Sequence, residues 1–598
     1  MQYQSLKNEL LELIDQEKFE AALNIIDKQL NQDKFSKFQV PIETYIAIWK
    51  EKWQFLFLKC KIYEMRGKFT QALTLIDEIL EESKELQNLT SEVQLTGLVA
   101  KTIPLFFLGR IDENSQIIKG ATQLLGRIKQ ISQVDKKRYN ALISLSRGLN
   151  LLYTSNYKQG LANLQNGLDT LQQLNTDNWL VGLGLLFKGM YYSEMGEYKQ
   201  ALDLLKLSAE FNQQRGFSHN YNLNLGHIAN SYCEKGDLIN AEKYGLRANT
   251  LAKERDNVFV LGYTQRTLGR IFLTMGDFIK AEEMFRAAWK NWESSETLHV
   301  YFPISWLGLV HRMRGEQDLA IKYFLFGLEK IQEIGYKNAE GWALDFLGEL
   351  HWEKGDFQEA LTYLNEALKV REELGNKIDI TRSLFNLFLV NLELKNSEKA
   401  KEQLQTLKHL NIEIHNPIIK IRTQLAEALI LMQSRKLIEK GHAQNILLEL
   451  ISLTNVEGRI KILALLNLFD ILIIEWKASE EEETLEEIYE LLKELETMAR
   501  NQNISTLLIE HKILLANVLL IEGNIEKIFS VLNEASDMAK IRNLSHLEEK
   551  INQMREKVTD QIKEWQILLE NNASIAQRLE KSEILDYLNI AKRLTSFY

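Results

Sequence analysis

The sequence predicts an all-α protein built as an array of antiparallel helix hairpins. An eleven-residue phrase with Gly second and Ala seventh occurs five times, as MGEYKQALDLL, KGDLINAEKYG, MGDFIKAEEMF, RGEQDLAIKYF and KGDFQEALTYL. Its glycines follow one another at intervals of 40, 40, 39 and 40 residues, at Gly196, Gly236, Gly276, Gly315 and Gly355. A fixed period of this length indicates a repeat architecture. Only four prolines interrupt the 598 residues, which favours long helices throughout.

Each repeat is predicted to be a helix, a tight turn and a second helix. Segments upstream of the phrase, such as SWLGLVHRM and ALDFLGELHWE, place apolar residues three and four apart, which is the spacing of one helix face. We expect Gly276 and Gly355 to end the first helix in the left-handed conformation, and Asp277 and Asp356 to cap the second. Small residues seven before and five after each turn glycine predict that the two helices approach closely. They are Gly189, Ala229, Gly269, Gly308 and Gly348, and Ala201, Ala241, Ala281, Ala320 and Ala360.

The ordered set of small and aromatic residues resembles the tetratricopeptide repeat. The third repeat carries this set as Gly269, Phe272, Gly276, Phe278, Ala281, Phe285 and Ala288. The resemblance implies a right-handed superhelical solenoid. The family repeat has about 34 residues, whereas this one is near 40, which is similar to the long repeats of peptide-binding adaptor and scaffold arrays.

The chain divides into four predicted regions according to how closely each part matches the repeat pattern. Residues 136–410 form the regular array, while 1–135 and 411–545 are expected to be degenerate helical repeats. Residues 546–598 are expected to form amphipathic helices, because apolar residues from Leu547 to Trp565 recur at steps of three and four. These helices either cap the last hairpin or form a coiled-coil seam that would make a homodimer.

Composition and motifs exclude several classes of function. The net charge of −10 argues against a general nucleic-acid binder, which needs a positive face. No signal peptide or membrane-spanning segment is recognised, so a cytoplasmic location without membrane insertion is expected. Two distant cysteines, Cys60 and Cys233, form no metal or redox motif. No phosphate loop, dinucleotide fingerprint, zinc-protease or nucleophile-elbow motif occurs, so we expect no catalytic residue, no cofactor and no metal.

The resemblance implies that the first helices of the hairpins line a concave groove that binds a protein or peptide segment. Helical spacing then selects ten candidate residues: His227, Asn230, Arg266, Arg270, Trp306, Arg312, Trp342, Asp345, Glu349 and Trp352. Asn230 matches the place where related adaptors hold the ligand backbone with an asparagine. Arg266 and Arg270 lie one turn apart, which suits a carboxylate or phosphate. Alternatively, these side chains are solvated arginines, interhelical salt bridges and packed tryptophans.

The sequence therefore favours a non-enzymatic scaffold or adaptor that binds a peptide or helical segment. The alternative is a peptide- or ligand-responsive sensor that acts through a change of the superhelix. His311 and His351 occupy corresponding places 40 residues apart, where the repeat normally has an inward aromatic residue. We therefore expect them to be packed core residues and not metal ligands.

Overall fold

The fold is all-α over the part of the chain that the computed structural model describes. This part is residues 2–594 without 16–17, 32–41, 85–90, 130, 154–155, 175–178, 256, 294–296, 376, 435, 454–457, 502–503, 543 and 572. It divides into two compact units. Unit 1 comprises Met1–Ser231, Ala241–Thr267 and Ala287–Pro303, and unit 2 comprises Tyr232–Asn240, Leu268–Arg286 and Ile304–Tyr598. No helix in the described ranges is long and apolar enough to cross a membrane.

Unit 1 is built from consecutive antiparallel hairpins. Its helices are α1 (Gln2–Asp15), α2 (Phe19–Leu30), α3 (Ile42–Met65), α4 (Phe69–Lys84), α5 (Ser91–Phe107), α6 (Ile111–Arg127), α7 (Gln133–Tyr153), α8 (Tyr157–Gln173), α9 (Trp179–Glu194) and α10 (Tyr198–Gln214). Four helices contribute residues to both units: α11 (Ser218–Glu234), α12 (Leu238–Glu254), α13 (Val258–Met275) and α14 (Phe278–Glu293). The pairs α3/α4, α5/α6, α7/α8 and α9/α10 each pack as one hairpin.

Unit 2 continues with hairpins of the same kind. Its helices are α15 (Phe302–Met313), α16 (Gln317–Glu333), α17 (Lys337–Lys354), α18 (Phe357–Leu374), α19 (Lys377–Glu393), α20 (Ser397–Ile414), α21 (Pro417–Met432), α22 (Leu437–Ser452), α23 (Gly458–Ser479), α24 (Glu482–Asn501), α25 (Ser505–Glu522), α26 (Ile525–Ile541), α27 (Ser545–Glu570), α28 (Ile575–Ser582) and α29 (Ile584–Leu594). Each odd-numbered helix from α17 to α25 is the first helix of a hairpin with its successor. Regular hairpins therefore extend through residues 411–541, where the small-residue pattern is absent.

The turns follow from the backbone freedom of glycine. The five repeat glycines have φ angles of 75°, 84°, 78°, 80° and 81°, a region that side chains with a Cβ rarely adopt. Asp277 caps the following helix by accepting a bond from the Lys280 amide at 3.2 Å. The corresponding prediction for Asp356 is wrong, because its side chain makes no cap bond. Its carboxylate instead lies 3.4 Å from Nδ1 of His351.

Close packing within a hairpin depends on the small residues, as the sequence predicts. A Cβ placed on Gly308 would lie 2.6 Å from the Phe324 ring, and one on Gly348 would lie 2.6 Å from Leu364 Cγ. The alanines of the phrase are fully buried, at Ala201, Ala241, Ala281, Ala320 and Ala360. Larger side chains at either set of positions would separate the helices or force them to shift.

The C-terminal segment has two parts. The long helix α27 packs along α26, with Leu547, Ile551, Val558 and Trp565 buried. The short helices α28 and α29 then return toward earlier hairpins. Helix α28 packs on α23 and α25, and α29 packs on α17, α23 and α25. The last helix thus contacts a first helix, α17, that begins more than two hundred residues before it.

Candidate partner-binding face

The first helices α17, α19, α21 and α23 of unit 2 contact one another in succession. Together with α25 they are here called the first-helix face. A buried charge network lies beside it. The Arg312 side chain, which is fully buried, donates from Nη1 to Glu349 Oε2 at 3.2 Å and from Nε to Glu353 Oε2 at 2.9 Å. The structure therefore brings two of the ten predicted site residues, Arg312 and Glu349, into direct contact.

Glu349 is the centre of this network. Its Oε1 accepts bonds from Asn386 Nδ2 at 3.0 Å and from Arg459 Nη1 at 3.3 Å. Burial by itself raises the pKa of Glu349, but the guanidinium groups of Arg459 and Arg312 outweigh burial and lower this pKa below its ordinary value. Glu349 is therefore held as a carboxylate between two cations.

Asp345 and Trp342 occupy the preceding turn of α17. The Asp345 carboxylate lies 2.5 Å from Arg371 Nη1 and accepts a bond from the Ser383 hydroxyl at 3.2 Å. Burial raises the pKa of Asp345 despite the opposing charge of Arg371. Trp342 is half-buried, and the Arg382 guanidinium lies 4.1 Å from its ring centroid, within the range of a cation–π contact.

Trp352 connects α17 to the C-terminal helix. Its indole Nε1 donates to Glu393 Oε2 at 2.7 Å, and Oε1 of the same carboxylate pairs with Arg593 of α29. Lys592, also on α29, forms a second ion pair, with its Nζ 2.7 Å from Asp470 Oδ2 on α23. These ion pairs join residues far apart in sequence, so they fix α29 on this face.

Further contacts of the C-terminal helices follow the same pattern. The Tyr587 hydroxyl donates to the Glu510 carboxylate on α25. Arg578 of α28 donates to the Ile521 carbonyl at 2.7 Å, where a cation is favoured by the exposed carbonyls of a helix end. The apolar residues Ile584, Leu588 and Ala591 are buried, at the spacing of one helix face. The first-helix face of unit 2 thus holds an amphipathic helix by apolar burial and basic anchors.

Two further predicted site residues of unit 2 pair with each other. The Arg270 guanidinium lies 5.0 Å from the ring centroid of Trp306 and donates to Glu234 at 2.5 Å. Arg270 is half-buried and Trp306 is buried, packed between Phe285 and Phe346. A partner carboxylate at Arg270 would therefore have to compete with Glu234.

The remaining three predicted residues lie in unit 1. His227 is buried and shares a hydrogen bond of 2.9 Å with the Tyr263 hydroxyl. Burial, together with the charge of Arg266, lowers the pKa of His227 to about 3, so this imidazole is neutral. Arg266 lies 5.1 Å from the centroid of Tyr263 and 5.4 Å from that of Phe302. Asn230 is half-buried.

His311 and His351 each pack against a tyrosine ring of the same repeat. His311 is buried and stacks on Tyr323, and His351 stacks on Tyr363, as expected for packed residues. Burial raises the pKa of the Cys233 thiol to about 11, which keeps it protonated. In the described ranges no group of three or more His, Cys, Asp or Glu residues is placed to hold a metal ion.

Sequence reasoning missed the residues that the predicted site residues contact. Arg371, Asn386, Arg459 and Glu393 contact predicted residues, and Arg593 pairs with Glu393, yet the positions of all five carry no repeat signature. Arg459 lies 110 positions from Glu349, and local periodicity holds no information about such a contact. A usable indication was the basic pair Lys592 and Arg593 beside an apolar helix face, since a buried apolar face needs a partner surface.

Stacked antiparallel hairpins of about 40 residues, whose first helices contact one another in succession, define the class as a helical-repeat protein. Residues 254–543, a little under half of the chain, match the family model described as the MalT-like TPR region. Residues 254–543 are accordingly a tetratricopeptide-repeat region, as the glycine and alanine pattern predicts. No curated protein matches it in sequence.

Several solved structures are similar in part. A Rap protein complexed with competence and sporulation factor is 14% identical, with a TM-score of 0.47 over 62% of this chain and 98% of that chain. The apo quorum sensor NprR from B. thuringiensis is 16% identical, with a TM-score of 0.43 over 62% and 99%. The Cut9–Hcn1 assembly of the APC/C is 15% identical, with a TM-score of 0.36 over 76% and 93%. Similarity at this level carries no argument about function, which rests on the residues of this chain.

Proposed function

We propose that this chain is a non-enzymatic scaffold that binds a helical segment of a partner protein on its first-helix face. This proposal rests on how α29 is bound. Its residues Arg593 and Lys592 form ion pairs with Glu393 and Asp470 of the first-helix face. A face that binds α29 by these contacts can bind a partner helix of similar sequence in its place. The partner segment would present an apolar stripe followed by two basic residues.

The acidic and aromatic character of this face supports the choice of partner. Glu393, Asp470 and Glu510 each pair with a side chain of the C-terminal helices, and Trp352 orients Glu393. Removing a partner cation from such a carboxylate leaves a partly buried charge unpaired, so the face favours basic ligands over neutral or acidic ones. Arg270 of unit 2 stays in the proposal as a further basic contact, and Arg266 and Asn230 stay in it separately as polar contacts of unit 1.

The binding of α29 to the first-helix face also supports the sensor alternative. The chain's own helix and a partner helix would compete for one face, so partner binding would release residues 575–594. Release of an intrachain ligand is a two-state change that a partner biases by its differential affinity. The two functions share one surface, and the sensor adds the released segment as an output.

The experiment measures binding of a fluorescein-labelled peptide of residues 574–594 to the full-length chain by fluorescence anisotropy. The wild-type chain is compared with Lys592→Glu/Arg593→Glu, which weakens the internal competitor. We expect the double variant to bind the wild-type peptide at least about tenfold more tightly. The ion pairs of Lys592 and Arg593, each worth about 1 kcal/mol, no longer hold α29 on the face.

A matched control carries the same charge change elsewhere. Lys527→Glu/Lys563→Glu alters two exposed lysines on α26 and α27. This control should bind the peptide as weakly as the wild type does. Equal binding by all three proteins, or no binding by the Lys592→Glu/Arg593→Glu chain, would refute the proposal.

A further inference from the structure

A pocket within unit 1 places one carboxyl group among aromatic rings. The pocket is a cleft that is partly open to solvent. Its apolar wall is formed by Met65, Phe69, Ile103, Phe107, Leu183 and Phe217. The rings of Phe69 and Phe107 stack with centroids 4.8 Å apart, and both contact Phe259, so the wall is fixed in place.

Glu64 is the acidic group of this pocket. It is 9% exposed, and among the described residues its side chain makes no hydrogen bond or ion pair. It also lies in the last turn of α3, where the helix dipole disfavours a negative charge. Burial raises the pKa of Glu64 to about 8, and the nearby Lys61 opposes this only in part. Burial and the position at a helix end therefore both disfavour the ionised form of Glu64, and among the described residues Lys61 offsets this only in part.

The other polar groups at the pocket offset the charge of Glu64 only in part. His219 Nδ1 accepts a bond of 2.7 Å from Asn257 Nδ2, and burial lowers the pKa of His219 to about 4, so it is neutral. Lys61 and Asn220 also line the pocket, and the charge of Lys61 only partly opposes the effect of burial on Glu64. A further cation at Glu64 would complete this compensation.

We propose that this pocket binds a primary ammonium group on an apolar stem, with the ammonium at Glu64 and the stem along the Phe69, Phe107 and Phe217 wall. An ammonium would donate to the carboxylate in a site of low dielectric, where a charge-assisted bond is strong. Aromatic faces add attraction for a cation, and the apolar wall accepts the stem. An ammonium would hold Glu64 in its ionised form, whereas a neutral alcohol supplies no charge to do so and an anion would be repelled. The site is independent of the first-helix face of unit 2.

The test uses the full-length chain and isothermal titration calorimetry. The probes are n-hexylamine and 2-phenylethylamine, each compared with its alcohol, 1-hexanol or 2-phenylethanol. At least one amine should bind at least about tenfold more tightly than its alcohol, which is the expected size of one charge-assisted bond. Glu64→Gln should lose about the same factor for the amine and leave the alcohol unchanged.

The controls separate the site from general effects. Glu78→Gln neutralises an exposed carboxylate on α4 and should leave amine binding as in the wild type. Far-UV circular dichroism checks that Glu64→Gln remains helical, and the amine-to-alcohol comparison needs no variant. Equal affinity of amine and alcohol, equal amine affinity of wild type and Glu64→Gln, or no binding of either amine would overturn the assignment.

Discussion

Arg459 of α23 and Glu349 of α17 form an ion pair of 3.3 Å across 110 positions of sequence. Both side chains are almost fully buried, and Arg312 holds the second oxygen of the same carboxylate. Two first helices with two whole hairpins between them are therefore joined directly, in addition to the nearest-neighbour packing that stabilises repeat arrays.

Glu349→Gln tests this connection. It leaves Arg459 buried without its counter-charge, and breaking a buried pair in this way costs about 3 kcal/mol of the free energy of unfolding. The midpoint of urea unfolding, followed by circular dichroism, should fall accordingly. Glu413→Gln, which removes an exposed pair with Lys377, should leave the midpoint unchanged. Equal midpoints for Glu349→Gln and wild type would show that the pair contributes nothing.

The same carboxylate predicts a pH dependence. The folded-state pKa of Glu349 is lowered, so its contribution to stability is present above the unfolded-state pKa near 4.5 and is lost as the pH falls through the folded-state value. The stability difference between wild type and Glu349→Gln should therefore shrink as the pH is lowered below 4.5. A difference that stays constant on acidification would contradict this account.

Glycine packing predicts opposite results at two helix positions. Gly348→Ala places a Cβ 2.6 Å from Leu364 Cγ and should destabilise the chain by about 1–3 kcal/mol through overpacking. Gly120→Ala, on α6, meets nothing within 4 Å and should stabilise it by up to about 1 kcal/mol, since alanine favours the helix. Both values come from urea unfolding. A stabilised Gly348→Ala chain would show that the hairpin needs no small residue there.

Glu64 predicts a stability slope of the opposite sign to that of Glu349. Its folded-state pKa of about 8 lies above the unfolded-state value of 4.5, so its contribution is greatest below 4.5 and is lost as the pH rises toward 8. Each tenfold change in a proton dissociation constant corresponds to about 1.4 kcal/mol. Glu64→Gln should therefore gain stability relative to wild type between pH 5 and pH 8. Parallel curves of urea midpoint against pH would contradict the burial of an unpaired carboxyl.

The sequence was sufficient for the repeating unit because its determinants are local. Gly276 and Gly355 supply positive φ at the turns, and Gly348 admits Leu364 across one hairpin. These effects operate within about ten residues on either side of a turn, where spacing predicts contact. Periodicity also predicted the apolar stripe of α27 from Leu547 to Trp565.

The candidate site was predicted only in part, because half of each contact comes from a distant helix. Local spacing placed Glu349 and Trp352 on one helix, but it could not supply Arg459 or Glu393 as their partners. It also gave no indication that Arg593 returns to this face from the end of the chain. Such contacts depend on how successive hairpins are rotated, which no single repeat encodes.

The central claim, that the first-helix face binds one amphipathic helix at a time, is tested most directly by hydrogen exchange. Exchange is followed by mass spectrometry for the full-length chain without peptide and with an excess of a ¹⁵N-labelled peptide of residues 574–594. The isotope label distinguishes the peptide from the same segment of the chain. We predict faster exchange in the chain's α28 and α29, with continued protection of α17, α23 and α25, because the peptide replaces the displaced helices. Unchanged exchange in α28 and α29 at saturating peptide would contradict the account.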